Sequence, residues 1–220
     1  PLEGTVLISV VESDRLGALE VARRFAKLGF TIRATRGTQA FLSEHGVEAM
    51  AIPKMHEGRP NIADAIENGE IHLVVNTPSG KHSAEDDSYI RKAAVKCKVP
   101  YITTIAAALA AARGIEAYRQ GKFTDALGHF LSAKGLKAEA PQLKNNTAAA
   151  LYELKKYQEA LDEFSRIDPA GLGTAAAGLH YDLGNTYFRL GQFPKALESY
   201  KQSLLLDPDD LQAKKNFELT

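Results

Sequence analysis

Three ten-residue stretches in the second half of the chain align with one another: GKFTDALGHF, KKYQEALDEF and GQFPKALESY. Phe123, Tyr157 and Phe193 correspond, at spacings of 34 and 36 residues. Ala126, Ala160 and Ala196 follow each of these by three, and Phe130, Phe164 and Tyr200 by seven. A period of this length marks a helix–turn–helix unit that buries its apolar face only by stacking on a neighbour. The alanines let paired helices approach, and the aromatics fill the gap between units. The extra two residues of the second spacing fall around DPAGLGT (168–174), a natural loop. The stretch 183–210 is the clearest copy. A last helix from about Asp210 to Leu219, with Lys214 and Lys215 outward, is expected to cover the open end. Three units are near the minimum for a stable array, so docking onto the rest of the chain is expected to help.

The first half has another rhythm. TVLISVV (5–11) is a continuous apolar run rich in β-branched residues, as in a strand buried on both faces. Further strands are predicted at 31–34, 47–52, 71–76 and 99–103. Helices are predicted between them: one from about Arg15 to Leu28 capped by Asp14, a short one ended by Gly46, one capped by Asn61 and stopped by Gly69, and one over 84–97. This alternation predicts an α/β domain with a mostly parallel sheet in three layers, whose ligands bind outside the carboxyl ends of the strands.

Those ends carry the candidate residues. Thr35, Gly37 and Thr38 form a hydroxyl-rich turn at a helix start, where backbone N–H groups and the helix dipole favour an anion. Gly37 lets a ligand come close. Arg15 and Lys54 add positive charge, and Asn76 and Ser79 add polar groups from the fourth loop. Together they suit a phosphate joined to a polar ring. The same residues also serve as ordinary caps and turns, and TRGT is not a P-loop.

ATRGT, KMHEGRPNIADAIENGEIHLVVNTPSG and IRKAAV resemble the C-terminal regulatory domain of the large subunit of carbamoyl-phosphate synthetase, over roughly residues 4–119. The resemblance implies a methylglyoxal-synthase-like fold and a site for nucleotide effectors (UMP or IMP) at Arg15, Thr35, Thr38, Lys54, Asn76 and Ser79. It places the chain in pyrimidine and arginine biosynthesis. Arg15 stands where some members carry Lys, and Pro78 where some carry Thr; proline has neither a hydroxyl nor an N–H to offer. Methylglyoxal synthase itself uses an acidic loop where this chain has NTPSG, and the ATP-grasp domains are missing, so the chain is expected to be non-catalytic. The repeats resemble the tetratricopeptide family. Its groove would be lined by Asn145, Asn146, Tyr181, Asn185 and Arg189. Asp182 and Gly178 stand where relatives that grip a C-terminal carboxylate carry cations, so an acidic tail is not the expected partner.

Bulk properties remove several classes. Lys plus Arg and Asp plus Glu number 27 each, so no nucleic-acid or membrane partner is expected. Cys97 is the one cysteine and cannot form an internal disulfide, which fits a cytoplasmic protein. No histidine lies in a metal-ligand spacing, and His56 alone lies beside the proposed pocket; neither metal nor cofactor is implied.

The two rhythms meet at TTIAAALAAARGIEAYRQGKF (103–123). Counting back from Phe123, the first repeat begins near Ala107, inside the last helix of the front domain. A helix over about 105–120 is therefore expected to serve both a domain at 1–119 and one at 120–220, with no linker. The seamless joint and the abrupt start at Pro1 point to an engineered fusion; the alternative is a natural interaction module with a metabolite-sensing front domain.

Overall fold

The computed structural model describes residues 4–77, 84–136, 141–172 and 175–220. Strands β1 (Thr5–Ser9), β2 (Thr31–Thr35), β3 (Met50–Ile52), β4 (Leu73–Asn76) and β5 (Tyr101–Ile102) form one sheet in the order β3-β2-β1-β4-β5. Every pairing is parallel. Helices α1 (Arg15–Lys27), α2 (Arg36–Glu44), α3 (Ile62–Glu67) and α4 (Ala84–Lys96) make the crossovers. The central strand explains the apolar run that opens the chain: Val6, Leu7 and Ile8 are all fully buried. Val6 and Ile8 join α1 on one face, with Ile32, Ala34 and Val75. Leu7 joins Val74, Ile62 and Ile90 on the other.

Two caps differ in kind. Asn61 accepts from the backbone N–H groups of Ala63 and Asp64, while Asp64 accepts from the Asn61 N–H at 2.9 Å, a reciprocal box. Asp14, expected to cap α1, makes no side-chain cap bond. It ends a 3-10 turn over Glu12–Asp14 that delivers the chain into the helix directly.

Helix α5 (Ile105–Arg119) runs unbroken, capped by Thr104, whose side chain accepts from the Ala107 N–H. Beyond it come α6 (Phe123–Gly135), α7 (Pro141–Glu153), α8 (Tyr157–Ser165), α9 (Ala176–Arg189), α10 (Phe193–Leu206) and α11 (Leu211–Leu219). The period in sequence reappears as a period in contacts. Edge-on ring pairs recur at Tyr118–Phe123, Tyr152–Tyr157 and Phe188–Phe193, with centroids 5.3, 5.3 and 5.4 Å apart. Phe130 lies over Gly114, and Tyr200 over Gly184. A Cβ on either glycine would meet the ring at 2.4 or 2.5 Å. Between helices of the same unit the turn needs a left-handed residue. Gly121 and Gly191 supply it at φ +72°, and Lys155 takes the same conformation at φ +61° in the middle unit, where a side chain makes it costlier. Asp210 caps α11 by accepting from the Gln212 and Ala213 N–H groups.

The sheet and the first repeat share one core. Phe25, Phe30, Ala112, Ile115, Phe130, Leu143 and Ala150 belong to a single buried cluster that begins at Val6 and Ile8. Ion pairs and a hydrogen bond reinforce it: Arg24 to Glu116 at 2.9 Å, Lys27 to Glu116 at 3.6 Å, and Arg119 to the Leu28 carbonyl. Among the described residues no helix is long and apolar enough to cross a membrane.

Candidate functional site

Because every strand runs the same way, the loops after β1, β2, β3 and β4 open along one edge of the sheet. The strand order reverses beside β1, whose neighbours are β2 and β4. That reversal opens a crevice at the carboxyl edge. Two backbone N–H groups leaving β1 are held there: Val10 donates to the Thr38 hydroxyl at 3.4 Å, and Val11 to the Thr77 hydroxyl at 3.3 Å. Thr35 donates to Thr38 at 3.3 Å. Thr35 and Thr38 are both buried. The hydroxyls expected to face a ligand thus turn inward and tie β1, β2 and α2 together, which leaves the N–H groups of the first turn of α2 as the donors facing out.

Arg15 begins α1 and leans across to the start of α2: a Cβ on Gly37 would lie 3.1 Å from its Nη2. Its Nη1 meets Glu12 at 3.4 Å, and its Nε is buried without a hydrogen-bond partner among the described residues. Asn76 is buried at the end of β4 and donates to the Tyr101 hydroxyl at 2.7 Å. Lys54 follows β3, at the outer strand, and its N–H donates to Glu57 at 2.9 Å. Glu57 also faces Arg36 at 3.8 Å, and His56 is exposed in the same 3-10 turn. Pro78 and Ser79 lie outside the described residues. The fold therefore gathers Arg15, Thr35, Gly37, Thr38 and Asn76 around the crevice and sets Lys54 on its flank. Thr77 and Tyr101 went unread in the sequence. A tyrosine inside the apolar strand run VPYIT was the available signal.

The second candidate site is the groove of the repeats. A cavity of about 380 Å³ lies between α5, α7 and α9, walled by Tyr118, Asn145, Asn146, Ala149, Gly178 and Asp182. An adjoining one of about 180 Å³ adds Tyr152, Glu153, Tyr181 and Asn185. Asn185 is partly committed, since its Oδ1 accepts from the Tyr200 hydroxyl at 2.8 Å and from Asn216 at 2.9 Å. Arg189 turns away to the Tyr152 hydroxyl at 3.3 Å and lines a different cavity beside Thr220. Burial, then the neighbouring Glu153, pushes the Asp182 carboxyl up to about 7. Burial, Glu153 and Asp182 push the Tyr118 phenol up to about 12. Glu153, which sequence reading passed over, is thus a second negative charge on this wall. No group of three or more metal-ligating side chains occurs among the described residues.

Comparison with known proteins finds two families, one in each part of the chain. The MGS-like domain profile matches residues 17–103, and tetratricopeptide repeat profiles match 111–173 and 177–210. The C-terminal section of the carbamoyl phosphate synthase large chain of Methanopyrus kandleri is 52% identical over 121 residues, 54% of this chain and 22% of that protein. Its counterpart in Aquifex aeolicus is 51% identical over 122 residues, 56% of this chain and 23% of that protein. The chain thus spans less than a quarter of the length of these two relatives. Among solved structures, the Arabidopsis OM64 TPR domain aligns at TM-score 0.48 and 20% identity, covering 52% of this chain and 93% of its own. The first TPR of Spaghetti (RPAP3), bound to the HSP90 peptide SRMEEVD, aligns at TM-score 0.46 and 24% identity, covering 52% and 89%.

Proposed function

We propose, starting from an MGS-like front half and a rear half built of tetratricopeptide repeats, that the chain is an effector-binding domain joined rigidly to a protein-interaction scaffold. The effector is a nucleotide such as UMP or IMP, held by its phosphate, or inorganic phosphate itself. The supporting observation is the crevice beside β1. There the Arg15 guanidinium lies against Gly37 at the start of α2, with a buried Nε still unpartnered among the described residues. A cation and a helix N-terminus converging on one point form an anion site. Lys54 closes the flank and Asn76 the far wall; Ser79 is assigned to the same site by resemblance. On this reading residues 1–119 are the effector domain and 120–220 the scaffold, with the helix at about 105–120 common to both. The MGS-like match ends at 103 and the repeat match begins at 111, with α5 running across the interval. That abutment favours an engineered helical fusion. A natural reading frame carrying the same junction would overturn the engineered origin and leave the binding assignment standing.

Titration calorimetry tests the pocket. UMP or IMP is expected to bind the intact chain, and Lys54→Ala to weaken binding by roughly 1.5–3 kcal/mol through loss of a charge-assisted contact. Absence of heat from either nucleotide, with no protection by high phosphate, would refute the site.

The chain is also expected to turn over nothing. Methylglyoxal formation from a triose phosphate needs a carboxylate placed to move a proton. The crevice offers Asn76 and Thr77 where that group would stand. In a coupled assay with dihydroxyacetone phosphate the rate should equal the buffer blank. Turnover that Arg15→Ala or Lys54→Ala abolishes would show the crevice to be an active site.

A further inference from the structure

We propose that the groove of the repeats is a cation-recognition site, taking the ammonium of a lysine side chain from a basic peptide between Asp182 and Glu153, against the rings of Tyr118, Tyr152 and Tyr181. This rests on the reading of the rear half as an interaction scaffold and gives that scaffold a ligand chemistry. The two adjoining cavities share Tyr118, Ala149 and Asp182, so they form one trough. Neither is lined by a lysine, arginine or histidine. The Asp182 carboxylate makes no hydrogen bond or ion pair among the described residues; only its backbone carbonyl is used, by the Thr186 hydroxyl at 2.7 Å. On the facing helix the Asn145 side-chain oxygen is buried and equally unpartnered among the described residues. Beside an apolar floor of Ile115, Phe130, Ala149 and Ala175, the trough therefore offers two carboxyl groups, an unpartnered amide oxygen and tyrosine rings.

A cation fits this chemistry on three counts. Its charge offsets the repulsion between the partly buried Asp182 and the exposed Glu153, and at Asp182 a Coulomb interaction is less screened than in water. Its N–H donors satisfy the free acceptors. Its approach to tyrosine faces is favourable, the more so when desolvated. The lysine stem would lie along Ala149 and Gly178. A carboxylate in the same place would meet two like charges and no cation, only the neutral donors of the asparagine amides and tyrosine hydroxyls.

The groups facing Asp182 decide the pH behaviour. They are Tyr118 from α5, Asn145 and Glu153 from α7, and Tyr181 from its own helix; Arg189 is held off at the Tyr152 hydroxyl. With Asp182 titrating near 7, the site carries its full negative charge only above that pH. Cation affinity should therefore rise as pH rises from 6 to 8. The stability sign follows from the same shift. The folded state holds the proton up to about 7, whereas the free carboxyl of the unfolded chain loses it near 3.8, so ionising Asp182 costs stability across that window. Asp182→Asn should then melt above the parent at pH 8, with the gap closing toward pH 4.

The test titrates the full chain, labelled for NMR, with three blocked pentapeptides that are alike except for a central lysine, norleucine or glutamate. The lysine peptide is expected to shift the Asn145 and Asn146 side-chain amides and the Gly178 N–H, and to bind at least tenfold more tightly than the norleucine peptide. Asp182→Asn should lose about tenfold and flatten the pH dependence. Glu153→Gln supplies the second variant should the first not fold. Equal or tighter binding of the glutamate peptide in the groove would overturn the cation assignment and leave the scaffold standing. No groove shift with any of the three would remove both.

Discussion

Replacing Ala112 by proline should destabilise the chain by about 3 kcal/mol or more. Ala112 is fully buried in the middle of α5. Proline there removes the N–H that bonds the carbonyl four residues back and drives its ring into that same turn. The N-terminal part of α5 is seated on α1: a Cβ on Gly17 would lie 2.7 Å from Ile105. The C-terminal part is seated on α6 through Gly114 and Phe130. A break at residue 112 therefore falls between the seat on α1 and the seat on α6, and leaves the orientation of the halves to the contacts of Glu116 and Arg119 with the front domain. Denaturant unfolding measures the loss, and Ala112→Gly should cost only about 1 kcal/mol by comparison. NMR relaxation measures the geometry. The parent should tumble as one body. If the parent shows separate correlation times, the joint is not rigid. If the proline variant is weakened yet still tumbles as one body, the Arg24–Glu116 pair, the Arg119–Leu28 bond and Leu143 are enough to hold the orientation.

Phe130→Ala should cost roughly 3–5 kcal/mol, the range for deleting a buried aromatic ring that its surroundings cannot refill. Phe130 is 1% exposed and covers the backbone of α5 at Gly114. Its cluster reaches Phe25 under the sheet, so probes in both halves should report the loss together. Phe164→Ala, by contrast, opens a cluster confined to the repeats. Gly114 supplies the internal check. Gly114→Ala alone should destabilise, because the new methyl would meet the Phe130 ring at 2.4 Å. In the Phe130→Ala background the same change should be neutral or favourable. Additivity of the two substitutions would show that ring and glycine do not meet as described.

The parallel sheet was legible because a doubly covered strand must be apolar throughout and a crossover helix must be amphipathic. Both constraints are written residue by residue, as at 5–11 and 15–28. The repeats were legible for a related reason. Each unit solves the same packing problem, so the same ring and the same small residue return at Phe130, Phe164 and Tyr200 and at Ala126, Ala160 and Ala196. The continuity of the joint could be read from an alanine-rich run whose one glycine, Gly114, falls where the repeat wants a small residue.

The crevice was only half legible. Arg15, Gly37 and Thr38 could be named from their places at strand ends, but a hydroxyl can face either a ligand or its own backbone, and local sequence does not choose. Tertiary packing chose: the Val10 N–H leaving β1 needs an acceptor and finds Thr38, 28 residues away, so the hydroxyl turned inward. Asp14 shows the same limit, since a preceding 3-10 turn brought the chain into α1 without its side chain. The groove was decided at longer range still. Glu153 and Asp182 are unremarkable charges on separate helices, and nothing local ties one to the other. Stacking α7 against α9 places them on one trough with Tyr118 from α5, and the burial of Asp182, with the Glu153 charge beside it, raises its carboxyl toward neutrality. Periodicity along the chain determines which faces are buried, because burial is a property each residue carries by itself. Which charges meet, and which donors remain free for a ligand, depends on the distance between elements, and that exists only once the helices have packed.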